Sequence, residues 1–511
     1  RAVCSRAGPV WLTLGFLLVT GALLRAASLR HALFAGAFYA VTVLSLWQTE
    51  RYRPELNLQP GSVVLLMADS LRADRVTASH LPKLSRLMER DEAVTVPSVV
   101  PPLARTTPAI VSLFTGKLPV ETGVTTMFSN KETFKQVPSV VTAYKAAGYC
   151  TLAVGEYPAE MLSKYTFGFE LVEVPQTRFK EMSLQAVMTN DPFFLASQSW
   201  ALLRSRMDPQ MQRLFEGLPT FAAPRSMLSR FEALASQCGD RPLFALVFAD
   251  QPHFPYVQTW PHYLAKGEGY TGRFKFGKDD ATRGVSSEQD KARIRELYDT
   301  SLLSTDDAFA RLVAHLLTTG QLEKSTVILT GDHGESLYDS LDIVGHGDQI
   351  GEMEGIAVPW VVFGVGKKAF ATKRKLVQST ELASQLAAIN GLKYAGTQGL
   401  PEGVIYVETD LWMAHTPNVP RHRVRYPELS GLLTLEDKEA HIEVDRAFLP
   451  TIEFAKHRLW VVDGKRYTLE PGEGEIRATI DGQRATTREF PDVIRGFMHR
   501  YYPDVAPALV P

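Results

Sequence analysis

Three stretches of this chain carry a mostly apolar run straight into a carboxylate. Ser62-Val-Val-Leu-Leu-Met-Ala68 leads into Asp69, and Pro242-Leu-Phe-Ala-Leu-Val-Phe-Ala249 into Asp250. Lys324-Ser-Thr-Val-Ile-Leu-Thr-Gly331 leads into Asp332-His333-Gly334-Glu335. A run with no polar alternate positions has no face to give to water, so each predicts a strand covered on both faces. Ala292 to Leu317 has a helical period instead, with Ile294, Leu297, Leu302, Leu303, Phe309, Leu312 and Leu316. Buried strands among helices predict an α/β fold around a mainly parallel sheet, whose ligands lie off the C-terminal strand ends. Many strands end in Asp, so this pattern specifies a place and not yet a chemistry.

A fourth stretch, Leu103-Ala-Arg-Thr106-Thr-Pro108-Ala-Ile-Val-Ser-Leu-Phe-Thr115-Gly116, reads as a helix. Pro108 suits its first turn, where a missing N–H costs nothing. Ile110, Val111, Leu113 and Phe114 give it an apolar face. Thr106 then lies at the helix mouth, where free N–H groups and the dipole favour an anion. An unassisted threonine hydroxyl is a poor nucleophile, so a chemical role requires a metal or base. The structural alternative is an N-cap. Asp332 and His333, adjacent on a strand, would face opposite ways and can share an ion only if the chain turns, as Gly331 and Gly334 permit. His253, in Pro252-His253-Phe254-Pro255-Tyr256, follows Asp250 closely, and His346 sits between Gly345 and Gly347.

In this order the motifs resemble those of the sulfatase and alkaline-phosphatase superfamily. Thr106-x-Pro108 with Thr115-Gly116, Leu118-Pro119 and Gly123-Val124 is similar to its nucleophile segment. Asp69-Ser-Leu-Arg-Ala-Asp74 and Asp332-His-Gly-Glu335 are similar to its metal-binding segments. The resemblance implies an alkaline-phosphatase-like sheet flanked by helices, with a small C-terminal antiparallel subdomain. It implies that Asp69, Thr106, Asp332 and His333 hold a divalent metal, zinc or manganese, and that Thr106 attacks the substrate. It gives His253 and His346 to the substrate or to a second ion, opposite Asp69, with Asp250 joining them if the site holds two ions. The chain departs from sulfatases at Ser70 (a second Asp), Ile110 (Arg) and Glu156-Tyr157 (Lys-Trp). Threonine cannot become the formylglycine on which sulfatases rely. The resemblance is therefore to members with threonine nucleophiles: phosphodiesterases and phosphoethanolamine or glycerophosphate transferases. It implies cleavage of a phosphoester, a phosphodiester or phospholipid head group, through phospho-Thr106, with water or a lipid or surface-glycan hydroxyl as acceptor. The alternatives are a sulfuric ester hydrolase and a catalytically silent, lipid-binding or regulatory membrane protein.

Lys and Arg number 55 against 56 Asp and Glu, so no charge excess supports nucleic-acid binding. Val10 to Leu24 and Ala32 to Trp47 are apolar and, though short of the ~20 residues of a bilayer span, predict a transmembrane hairpin. Arg25, Arg30 and His31 place its connector in the cytoplasm and everything after Trp47 on the extracytoplasmic, periplasmic or outer, face; buried core helices are the alternative. The expected division is an anchor at 1–48, a linker at 49–60, a catalytic domain at 61–400 and a C-terminal subdomain at 401–511. Phe179 to Ser236 reads as helical, Gly267 to Asp290 as a polar loop, Lys375 to Asn390 as a helix, and Asp463-Gly464 as a hairpin turn. Three cysteines make no disulfide framework, and a Cys150–Cys238 bridge in an oxidising compartment stays open.

Overall fold

A computed structural model of the chain describes residues 56–130, 132–133, 138–174, 224–254, 256, 262, 287–394, 400–411, 433–436, 441–472 and 475–502. The strands are β1 (Val63–Ala68), β2 (Val94–Val100), β3 (Cys150–Gly155), β4 (Leu171–Glu173), β5 (Leu243–Ala249) and β6 (Thr326–Gly331), then the short pair β7 (Ser336–Leu337) and β8 (Val344–Gly345), and β9 (Val358–Gly364) and β10 (Val377–Gln378). Eight of them form one sheet in the order β10-β2-β9-β6-β1-β5-β3-β4. Every neighbouring pair is parallel except the two made by β9.

Around this sheet lie the helices α1 (Pro82–Asp91), α2 (Thr106–Thr115), α3 (Val140–Ala146), α4 (Pro224–Ala235), α5 (Glu288–Thr318) and α6 (Leu382–Ala388). Alternate residues of β1 feed two apolar layers. Val64, Leu66 and Ala68 pack with Leu84 of α1, Phe231 of α4 and Phe309 of α5. Val63, Leu65 and Met67 pack with Phe114 of α2, Tyr144 of α3 and Leu386 of α6. Burial of each such large side chain stabilises the fold by about 1.5–3 kcal/mol, which is why the central strands are apolar at every position.

The C-terminal residues form a second sheet, in the order β11-β14-β15-β16-β17, from β11 (Ile405–Glu408), β14 (Arg458–Val462), β15 (Lys465–Gly472), β16 (Glu475–Ile480) and β17 (Gln483–Ala485). A separate ladder, β12 (Leu433–Glu436) with β13 (His441–Val444), lies between β11 and β14 in sequence, and α7 (Asp492–Tyr501) closes the described chain. Asp463 and Gly464 both take positive φ, 50° and 79°, as a two-residue hairpin turn requires, and Asp481-Gly482 repeats the device. Gln378 joins the two sheets: its Nε2 donates to Val100 O at 2.9 Å and its Oε1 accepts from Tyr406 N–H at 2.7 Å.

Several expectations change. Residues 375–390 are not one helix, because Val377 and Gln378 pair with β2 as β10 and the helix proper is Leu382–Ala388. The end of the expected linker is packed: Leu56 and Leu58 are buried, and the Gln321 amide bonds both of their backbones. Cys150 and Cys238 form a disulfide with Cα atoms 5.7 Å apart. Among the described residues no helix is long and apolar enough to cross a membrane. The two N-terminal apolar runs, most of Phe179 to Ser236 and most of Gly267 to Asp290 lie outside the described residues.

Candidate active site

Four adjacent parallel strands, β6, β1, β5 and β3, each end on a carboxylate: Asp332, Asp69, Asp250 and Glu156. Three of the ends are level, with Ala68 opposite both Gly331 and Ala249, and β3 ends one residue short, with Gly155 opposite Phe248. The four acids therefore form a row along the C-terminal edge of the sheet, and all four are buried. α2 starts beside this row. Thr106 is its first residue, and Arg105, the cap residue, makes no side-chain cap bond. The N-cap alternative for Thr106 is thus not realised; its Oγ1 lies 3.4 Å from His333 Nε2.

Ligand atoms of Asp69, Asp332 and His333 lie within 4.8 Å of one another, as do those of Asp69, Asp250 and His253. Asp69 belongs to both groups. His333 Nε2 is 3.3 Å from Asp332 Oδ2 and 3.6 Å from Asp69 Oδ1. The turn that brings Asp332 and His333 together depends on Gly334, where a Cβ would come within 2.4 Å of Glu354 O.

Hydrogen bonding decides what these histidines offer. The Nδ1 of His333 lies 2.9 Å from Gly334 O, that of His253 2.7 Å from Phe254 O, and that of His346 2.7 Å from Glu335 Oε2. Carbonyl and carboxylate oxygens accept, so in each neutral ring Nδ1 carries the proton and Nε2 presents a lone pair. His333 Nε2 therefore turns a lone pair toward the oxygens of Asp69 and Asp332. Asp332 Oδ2, buried without a hydrogen-bond partner, completes the picture. Lone pairs converging in a buried site are costly unless a cation satisfies them. The residues present fit a divalent ion at Asp69, Asp332, His333 and Thr106, with oxygen and nitrogen donors suited to zinc or manganese.

The electrostatics agree. Burial first, then Asp332 and Asp250, hold the Asp69 carboxyl well above its usual range. Burial and then Glu156 push Asp250 up to about 7. Burial lowers His333, and it lowers His346 further, helped by His333 and Arg105. Burial thus favours the neutral form of both imidazoles, the form in which a ring nitrogen can ligate a metal.

Residues to which sequence reasoning assigned no role in the site hold this arrangement. Ser70 takes φ 62°, donating its N–H to Asp332 Oδ1 and its hydroxyl to Asp69 Oδ1, both at 3.1 Å. Tyr298 fixes that turn by donating to Ser70 O at 2.7 Å while accepting from Arg72 N–H. Glu335 accepts from Tyr256 Oη as well as from His346, both at 2.7 Å. The His346 ring stacks on His333 at 4.0 Å and lies 5.3 Å from that of His253. The three imidazoles thus form one cluster, and the His253 ligand atom lies within 4.8 Å of those of Asp69 and Asp250. Arg105 binds Asp348 at 2.7 Å and fills the space over Gly347, where a Cβ would meet its Nε at 2.3 Å.

A family profile described as Sulfatase matches residues 62–392, well over half of the 511-residue chain. The chain belongs to the sulfatase family. It thereby falls within the sulfatase and alkaline-phosphatase superfamily of hydrolases and transferases. The sulfatase-family chain is similar in structure to the phosphonate monoester hydrolase from Silicibacter pomeroyi, at 16% identity over 87% of this chain and 94% of that one, with TM-score 0.53. The phosphonate monoester hydrolase of Agrobacterium radiobacter gives 17%, 88%, 95% and 0.53. A putative sulfatase from Bacteroides fragilis gives 13%, 90%, 99% and 0.53. Such identities carry the fold alone. No curated protein matches the chain.

Proposed function

We propose that this sulfatase-family chain is a metal-dependent enzyme that cleaves a phosphodiester or a phospholipid head group through a phospho-Thr106 intermediate. The observation that carries the reading is the place of Thr106: its hydroxyl, at the open end of α2, lies 3.4 Å from Nε2 of His333, whose ligand atom clusters with those of Asp69 and Asp332. Threonine has a methyl on Cβ and cannot yield a formylglycine hydrate, which removes the usual route for sulfate esters. A divalent ion bound by Asp69, Asp332, His333 and Thr106 would supply Lewis acidity and lower the hydroxyl pKa.

The chain's own groups do the rest. First-turn N–H groups of α2 and its dipole favour phosphoryl oxygens at this mouth. Thr106 Oγ1, having released its proton, bonds to phosphorus as the bond to the leaving oxygen breaks in line, and that oxygen takes up a proton. Then water or a lipid or glycan hydroxyl attacks, the P–Oγ1 bond breaks, and the threonine is restored. Ser70 and Gly334 hold Asp69, Asp332 and His333 in place, and Glu335 aims His346 Nε2 at the substrate side. Asp69, Asp250 and His253 are suited to a second ion near the leaving or incoming oxygen. The Cys150–Cys238 bridge supports an oxidising, extracytoplasmic compartment, in keeping with a membrane anchor at 1–48.

The test compares an aryl phosphodiester and a phospholipid donor with an aryl sulfate, and traps label on the protein. Faster turnover of the phosphoesters with label on Thr106 is the expected result. Preferential aryl sulfate hydrolysis that survives Thr106→Ala would sink it, and no turnover in metal-free and metal-loaded protein alike would favour a silent binding protein.

A further inference from the structure

The row of strand-end acids extends one member past the groups that can ligate. β3 is the outer neighbour of β5 and ends one residue short of it, Gly155 lying opposite Phe248. Glu156, immediately after β3, donates its N–H to Phe248 O at 3.0 Å, which continues the ladder to the strand edge. Its side chain turns to the neighbouring strand end, where Oε2 accepts the backbone N–H of Asp250 at 3.0 Å. Glu156 is 2% exposed, so this contact is made away from water. Asp250 in turn shares its ligand atoms with Asp69 and His253. Glu156 thus fixes the main chain of one ligand of the second group while adding a third carboxylate beside the two already there.

We propose that Glu156 is a positioning residue that commits the second position, Asp69–Asp250–His253, to a divalent cation. This deepens the two-ion form of the function proposed above and rests on it. Glu156 has two separable effects. Its oxygen holds Asp250, an effect that glutamine can reproduce. Its charge, acting through a buried site, makes the Asp69–Asp250 pair unfavourable without a cation, an effect that glutamine cannot reproduce. A lysine at 156 would put an ammonium group beside Asp250 and so compete with the ion.

The experiment is titration of the chelated full chain with zinc and with manganese, following bound metal by elemental analysis and stability by chemical denaturation. Wild type is expected to bind two equivalents. Glu156→Gln should weaken the second equivalent at least tenfold and leave the first unchanged, while the chelated variant becomes more stable than chelated wild type. Glu156→Lys should bind one. The gain in chelated stability separates a charge effect from mere structural support, since loss of a structural contact can only lower it. The inference is overturned if Glu156→Gln binds both equivalents with wild-type affinity, or if its chelated form is no more stable. Should Glu156→Lys not fold, Glu156→Gln still decides. Wild type that binds one equivalent overturns this inference and the two-ion form together, whereas trapping of label on Thr106 separately decides the phosphoryl reading.

Discussion

Removal of metal should invert the pH dependence of stability, and Asp250 sets the size of the effect. In the folded chain its carboxyl is raised from 3.8 to about 7, by burial first and then by Glu156. The folded state thus holds this proton more tightly than the unfolded state does. Its stabilising contribution is complete below the unfolded value and is lost as pH rises toward about 7. At about 1.36 kcal/mol per pH unit, the window from 3.8 to about 7 is worth up to about 4 kcal/mol. Asp69 is shifted the same way by burial, Asp332 and Asp250, and adds to the loss. The assay is urea denaturation of chelated protein at intervals from pH 5 to pH 8, with Asp250→Asn as reference because asparagine does not titrate. Between pH 5 and 7 chelated wild type should lose about 2–3 kcal/mol relative to Asp250→Asn. Excess zinc or manganese should reverse the trend, because metal binds the deprotonated carboxylates. Superimposable chelated profiles, or a wild type that gains on the variant as pH rises, would refute the reasoning.

Thr106→Ala should abolish turnover and label trapping yet keep most metal affinity, since the hydroxyl is one donor among several; Thr106→Ser should keep partial activity, and kinetics with metal titration check both. Glu335→Gln leaves one acceptor for two donors, so kcat/KM should fall about 10–100-fold and stability by about 1–3 kcal/mol. Adding Tyr256→Phe should restore part of that loss by freeing the amide oxygen for His346, and a double-mutant cycle without positive coupling would exclude the arrangement. Replacement of Cys150 and Cys238 by Ala opens a crosslink spanning 88 residues and should cost about 4–5 kcal/mol, read from denaturation midpoints of oxidised wild type and variant.

Sequence reasoning reached what short-range chemistry controls. The runs ending at Asp69, Asp250 and Asp332 had to be central strands because no alternate position could face water, and their ends had to be a ligand edge. Asp463-Gly464 was readable because few residue pairs accept two positive φ values. Long-range pairing was not readable. Val94–Val100 escaped notice because Pro97 interrupts it, and the ladder with β9 shifts register between Val96 and Val99. The direction of β9 is a property of its neighbours. Val377 and Gln378 leave the helical pattern because β2 and Tyr406 claim their backbone and amide. Glu156 was legible as a departure from sulfatases, but its place beside Asp250 depends on β3 lying next to β5. Ser70 in the left-handed region is a cost carried by tertiary bonds, which local propensity does not report.

The brace at Gln378 bears on how such a chain can be inherited. Its amide spans the two sheets, and the apolar contacts around it do not respect a boundary at 400. Val100, Ala104, Ile350 and Ile356 pack with Ile405, Val407 and Leu459, while Leu118, just past α2, packs with Tyr406 and Trp460. The second sheet is therefore not a passenger that a gene could drop, trade or acquire intact. A chain ending near 400 would lay bare Ala104 and Leu118, which flank the helix that carries Thr106. Recombination at that point should yield an insoluble product, not a smaller enzyme, so lineages with this architecture are expected to vary their loops while passing on both sheets as one piece.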